Sequence, residues 1–99
     1  MKKYVLENIE YELLENYKDG FDYEETKHKY TDYFYDYDYI IGDWAYSKLR
    51  LKGFYKAGNK KCNKINDFSN HQEYIEEHCA YECRYFILRK MEKNLGKNN

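Results

Sequence analysis

Two clusters of side chains in this 99-residue sequence are of types that do chemistry. The first is the stretch YDYIIGDWAYSKLRLKGFY (37–55), which places the only Trp, Trp44, between Asp43 and Tyr46, followed by alternating Lys48, Arg50 and Lys52. Cations neutralise phosphates and aromatic faces stack bases, so this pattern suits a single-stranded RNA or DNA surface. An indole beside an arginine is equally a hot-spot pairing of protein interfaces. The plainer alternative has Trp44 plugging the end of the core, Arg50 paired with Asp43 or Asp38, and the basic strand face simply solvated. The binding set on either surface reading is Asp43, Trp44, Tyr46, Arg50 and Lys52.

The second cluster is Cys79-x3-Cys83, with His78 beside it and Cys62 elsewhere. Four soft ligands can build a zinc site, but the spacing is not that of a zinc knuckle, and one Cys falls on a helix while the other starts a strand. Small buried thiols are the simpler account; a thiol-redox pair of Cys79 and Cys83 is the alternative. A Cys–His nucleophile needs convergent geometry, and adjacent residues on a helix point in different directions. No phosphate-cradling glycine loop, no HExxH and no Ser-His-Asp order occurs. No catalytic residue, metal or cofactor is therefore assigned. The basic turn KAGNKK (56–61) reads as a solvated loop or a phosphate contact.

Composition sets bounds on these readings. The chain is one domain long, 42% apolar and 35% charged, with a net charge of -1 that does not announce a nucleic-acid partner. Residues 1–50 hold 7 Lys/Arg against 12 Asp/Glu, a net of -5, and residues 51–99 hold 10 against 6, a net of +4. An acidic and a basic side follow if the halves do not interleave. No apolar run is long enough to span a bilayer, and acidic residues interrupt the N-terminal segment, so a cytoplasmic protein with reduced thiols is expected. Fourteen Tyr, no Pro, and few Ala and Arg match AT-rich codon usage. Against that background, six of the 11 Gly, Ala and Arg residues fall between 42 and 58, which marks the segment as chemically constrained.

The elements that must position these residues follow from periodicity. Residues 2–7 and 9–15 read as strands joined at Asn8. Asp22 caps a helix over 23–34. Residues 37–42 form a strand, DWAY a tight connection, and 47–55 a second strand, with 62–66 an optional short edge strand. Gly42 and Gly53 are read as positions where the backbone takes a geometry larger residues resist. A helix capped at Ser69 or Asn70 runs to Ala80, and residues 82–91, apolar on both faces, make a covered central strand. The order ββαβ(β)αβ predicts a single α+β domain over 1–91, a mixed sheet of about five strands with two helices, and a frayed tail over 92–99.

Three pieces carry a family resemblance: YELLENYKDGF (11–21), the 37–55 stretch, and EYIEEHCAYECRYFILRK (73–90). Together they resemble the YutD-like family of Firmicutes and their relatives, over roughly residues 8–91. The resemblance implies a small cytoplasmic α+β domain and supplies no catalytic residue. The resulting expectation is a binding or adaptor module whose GDW…RLKGF hairpin meets a protein partner, with nucleic acid as the alternative and no membrane role. Trp44→Ala is expected to weaken binding while the fold survives.

Overall fold

The computed structural model describes residues 2–78 and 83–91. Five strands are present: β1 (Lys3–Leu6), β2 (Ile9–Tyr17), β3 (Tyr39–Ala45), β4 (Lys48–Phe54) and β5 (Tyr85–Lys90). Two helices, α1 (Tyr23–Lys29) and α2 (His71–His78), accompany them, with short 3₁₀ turns at Asp32–Phe34 and Phe68–Asn70. The α+β class, the five strands and the two helices are as expected. The sheet is not mixed. Its order is β1-β2-β5-β3-β4, and every ladder is antiparallel. Two hairpins supply the outer pairs, and β5 inserts between them antiparallel to both neighbours. Among the described residues the parallel contact is the isolated bridge Tyr55–Asp67.

The insertion of β5 explains its composition. Tyr85, Phe86, Ile87 and Leu88 are all buried because each face of the strand meets a separate core. One core gathers Leu6, Tyr11, Tyr30, Phe34, Ile40, Leu49, Phe86 and Leu88 on the α1 side. The other gathers Ile41, Phe54, Ile75, Tyr85 and Ile87 on the α2 side. The same insertion interleaves the two halves of the chain, with a second-half strand between β2 and β3. The acidic and basic halves therefore do not form two sides.

Local chemistry accounts for the boundaries. Asp22 caps α1 through Glu25 N–H, as its position before two glutamates implies. The helix ends at Lys29, short of the expected 34, because Tyr30 turns to extended backbone (ψ 134°) and its ring enters the core. There the Tyr30 and Tyr11 hydroxyls meet at 2.7 Å, giving two buried phenols one another as partner. Asp67, not Ser69 or Asn70, caps the segment leading into α2, accepting from Ser69 N–H. Residues 62–66 form turns instead of an edge strand. Asn59, Asn63 and Asn66 side chains accept from the N–H groups of Lys61, Ile65 and Asn63, satisfying locally the donors a strand would offer. No helix among the described residues is long and apolar enough to cross a membrane.

Candidate functional site

The 37–55 stretch is a hairpin, but its turn lies later than the spacing of its residues implies. β3 continues through Asp43 and Trp44 to Ala45, and the turn is Tyr46–Ser47. Both turn residues take left-handed backbone, with φ 52° and 64°. This is the two-residue hairpin geometry whose twist matches the flanking strands, and Asn-Gly usually supplies it. The β1–β2 hairpin uses the same geometry at Glu7 and Asn8 (φ 48° and 73°).

Strand register then divides the candidate residues. Asp43 faces Arg50 and Trp44 faces Leu49 across the ladder. Successive side chains leave a strand on opposite faces. Asp43 and Arg50 therefore lie on the α2 side, with Lys52 two residues on, and Trp44 lies on the α1 side. The five residues expected on one surface do not share one.

On the α2 side, Asp43 is buried, its side chain 3% exposed, and Arg50 neutralises it. Arg50 Nη2 donates to Asp43 Oδ2 at 2.6 Å and Nε donates to Oδ1 at 3.2 Å. Nη2 also donates to the carbonyl of His78 at 3.0 Å, at the end of α2. The hydrogen bond to Asp43 holds the guanidinium above its usual range. Tyr74 lies close to both charges, and burial raises its phenol above the ordinary value. Lys52 places its ammonium 5.2 Å from the Phe54 ring centre and 5.8 Å from that of Tyr74. The ring of His78 stacks on Tyr74 at 4.6 Å.

On the α1 side, the arginine beside the indole is Arg84, not Arg50. Its guanidinium sits 4.4 Å from the Trp44 ring centre, and Trp44 Nε1 donates to Gly20 O at 2.7 Å. Arg84 Nη1 also donates to Asp19 O at 3.4 Å. The half-buried indole packs against the α1-side core. Trp44 thus ties the 18–20 turn to the sheet. Sequence spacing could not reveal Arg84 or Gly20, 40 and 24 positions from Trp44. The one available signal was that Arg84 is among only three arginines in the chain.

Tyr46 stands apart from these clusters. It is 99% exposed at the hairpin tip. Gly42 and Gly53 have ordinary backbone, so the reason for glycine is space. A Cβ on Gly42 would lie 2.2 Å from the Phe86 ring, and one on Gly53 2.3 Å from the Tyr37 ring.

Of the thiols, Cys62 is a free, half-buried cysteine in the 56–64 loop, its thiol held above the ordinary pKa by desolvation. Cys83 is disulfide-bonded, which departs from the expectation of reduced thiols, and Cys79 lies outside the described residues. Among the described residues no three His, Cys, Asp or Glu side chains converge as a metal site.

A two-hairpin antiparallel sheet with a late inserted central strand can be compared with known proteins. The family described as "Putative antitoxin YutD-like" matches residues 5–89. The chain belongs to the YutD-like family. A curated relative from Bacillus subtilis strain 168, "Putative antitoxin YutD", is 45% identical over 89 residues, covering 90% of this chain and 98% of that protein. The solution NMR structure of B. subtilis YutD superposes with a TM-score of 0.79 at 43% identity, over 94% of this chain and 84% of that one.

Proposed function

We propose that this YutD-like protein is a cytoplasmic binding module of antitoxin type, which works by docking the β3–β4 hairpin onto a protein partner. The antitoxin reading comes from the name of the B. subtilis relative. The single observation that carries the docking surface is Tyr46. A tyrosine in left-handed backbone is strained by roughly 1–2 kcal/mol, and one that is 99% exposed recovers nothing by burial. Codon bias does not explain it, since Asn is as AT-rich as Tyr and suits the turn better. An exposed aromatic at a turn position that Asn or Gly would fill at lower cost suits a contact made with something else. The Asp43–Arg50 clamp and the Trp44–Gly20 hydrogen bond hold the hairpin base rigid, which lowers the ordering cost of binding.

Asp43, Trp44, Arg50 and Lys52 act on this reading as the frame behind Tyr46. The nucleic-acid reading stands second, because the Trp44 face it would use for stacking is occupied by Arg84. The experiment is affinity capture from the protein's own bacterium, with and without nuclease, using wild type, Tyr46→Ala and Trp44→Ala. A nuclease-resistant protein retained by wild type and lost by folded Tyr46→Ala supports the proposal. Partners that vanish with nuclease overturn it in favour of nucleic acid.

A further inference from the structure

Two residues that hold the hairpin base stand on either side of the Cys79-x3-Cys83 motif. His78, just before Cys79, accepts from Arg50 through its carbonyl at 3.0 Å on the α2 side. Arg84, just after Cys83, sets its guanidinium 4.4 Å from the Trp44 ring centre on the α1 side. The Arg84 carbonyl also accepts from Trp44 N–H at 3.2 Å. Asp43, through Arg50, and Trp44 are thus gripped from opposite faces by residues that flank one cysteine pair. The pairing follows by elimination. The chain has three cysteines, Cys83 is disulfide-bonded and Cys62 is free, which leaves Cys79.

We propose that a reversible disulfide between Cys79 and Cys83 sets the rigidity of the β3–β4 hairpin, so that the oxidised protein docks its partner and the reduced protein docks it weakly. This regulation rests on the docking reading above. The step balances with a thiol reductant such as glutathione. Two glutathione thiols supply two electrons and two protons, the S–S bond breaks, two cysteine thiols form, and the glutathiones end as their own disulfide. Oxidation runs the same exchange backwards.

Bonded cysteines keep their Cα atoms within about 7 Å, whereas the open chain from His78 to Arg84 can span about 20 Å. Closing the bond therefore ties the last turn of α2 to the start of β5, and with them the Arg50 and Trp44 anchors. Opening it lets the two ends part and frees the hairpin base. Cys83 is half-buried, so a small thiol reaches it. In the cytoplasm of the proposed function, disulfides are more often transient and redox-sensing than structural. Cys62 competes poorly, because desolvation raises its thiol above the ordinary pKa and the thiolate is the attacking form.

The test equilibrates the full chain in glutathione buffers spanning the cytosolic range, then alkylates it under denaturing conditions and counts the labels by intact mass. The expected result is a change from one labelled cysteine, Cys62, to three within that range. Reduction should lower the melting temperature by roughly 5–15 °C, speed amide exchange at Trp44, and weaken Tyr46-dependent capture of a protein by roughly tenfold. Cys83→Ser should match the reduced protein in every buffer, and Cys62→Ser should switch as wild type does. A bond that stays closed in all buffers, or forms in none, overturns the switch. Equal capture by oxidised and reduced wild type, lost in Tyr46→Ala, overturns the regulation and leaves the docking reading standing. Capture by neither form overturns the docking reading and this regulation with it.

Discussion

Arg50 joins the two ends of one buried charge problem: its Nη2 lies 2.6 Å from Asp43 Oδ2 and 3.0 Å from the His78 carbonyl. Asp43 is 3% exposed in its side chain whereas Arg50 is 48% exposed, so the pair sits at the boundary between core and water. Removing the arginine therefore strands a desolvated carboxylate, while removing both partners leaves only a shape to fill.

Arg50→Leu should lower stability by about 2–3 kcal/mol, reduced from the fully buried case by the exposure of the guanidinium. The double variant Asp43→Leu with Arg50→Leu should recover most of that loss. Urea unfolding of the two single variants and the double checks it. A double variant as unstable as the sum of the singles would show that the pair is not coupled.

Neither glycine of the hairpin should tolerate a side chain. Gly42→Ala drives a methyl into the ring of Phe86, which is fully buried. Gly53→Ala meets the base of the Tyr37 ring, with Cγ at 2.3 Å, and that ring is stacked on Tyr55 and hydrogen-bonded to Tyr33. Overpacking typically costs about 1–3 kcal/mol, and both variants should lie at or above the top of that range. Phe86→Leu should partly rescue Gly42→Ala and do nothing for Gly53→Ala. Thermal melting of the single and double variants decides it.

Much of this architecture was legible because the chemistry was local. Asp22 before two glutamates announced its helix, Asn8 announced its turn, and the unbroken apolar run at 85–88 announced a strand covered on both faces. Tyr46–Ser47 makes the same turn as Glu7–Asn8 with no Gly or Asn to signal it, so the boundary of β3 was placed early and Asp43 and Trp44 fell into a loop. That one misplacement hid the alternation that puts Asp43 and Trp44 on opposite faces. Arg84 reaches Trp44, and β5 divides the two halves of the chain, through long-range pairing that no local pattern encodes.

Trp44 and Tyr46 should separate folding from binding. Trp44→Ala loses a half-buried indole, the hydrogen bond to Gly20 and the contact with Arg84, and should cost roughly 2–4 kcal/mol. Tyr46→Ala removes a fully solvated ring and should change stability by less than about 0.5 kcal/mol. Denaturant midpoints measured beside capture of the partner give both numbers. Equal destabilisation by the two variants would place Tyr46 in the fold.

Alkaline pH should unfold the protein through its tyrosines. Burial, reinforced by the hydrogen bond to Glu15, pushes Tyr85 up to about 12 from 10.0. Burial likewise raises Tyr11, Tyr30 and Tyr74. A raised phenol pKa means the folded state prefers the neutral form. The stabilisation is complete below pH 10 and is lost as pH climbs through about 12. Phenolate absorbance and far-ultraviolet circular dichroism should change together in that window. Tyr85→Phe keeps the ring and should flatten part of the decline. Phenolates that form well before the dichroism changes would mean these hydroxyls are open to water.

The hairpin tip offers the sharpest conflict between stability and function. Tyr46 and Ser47 both hold positive φ, a conformation that Asn and Gly adopt at little cost. Replacing them together, as Tyr46→Asn with Ser47→Gly, relieves two strained residues and should raise stability by about 1–2 kcal/mol. The same change deletes the exposed ring on which the proposed docking depends. A more stable protein that no longer captures its partner is the expected outcome, because the turn needs positive φ but the isolated domain does not need the Tyr46 ring. Ser47→Gly alone supplies the control: it relieves one strained residue, keeps Tyr46, and should gain stability with capture intact. If the double variant is stabilised and still binds, Tyr46 is ornamental and the contact lies elsewhere on the protein.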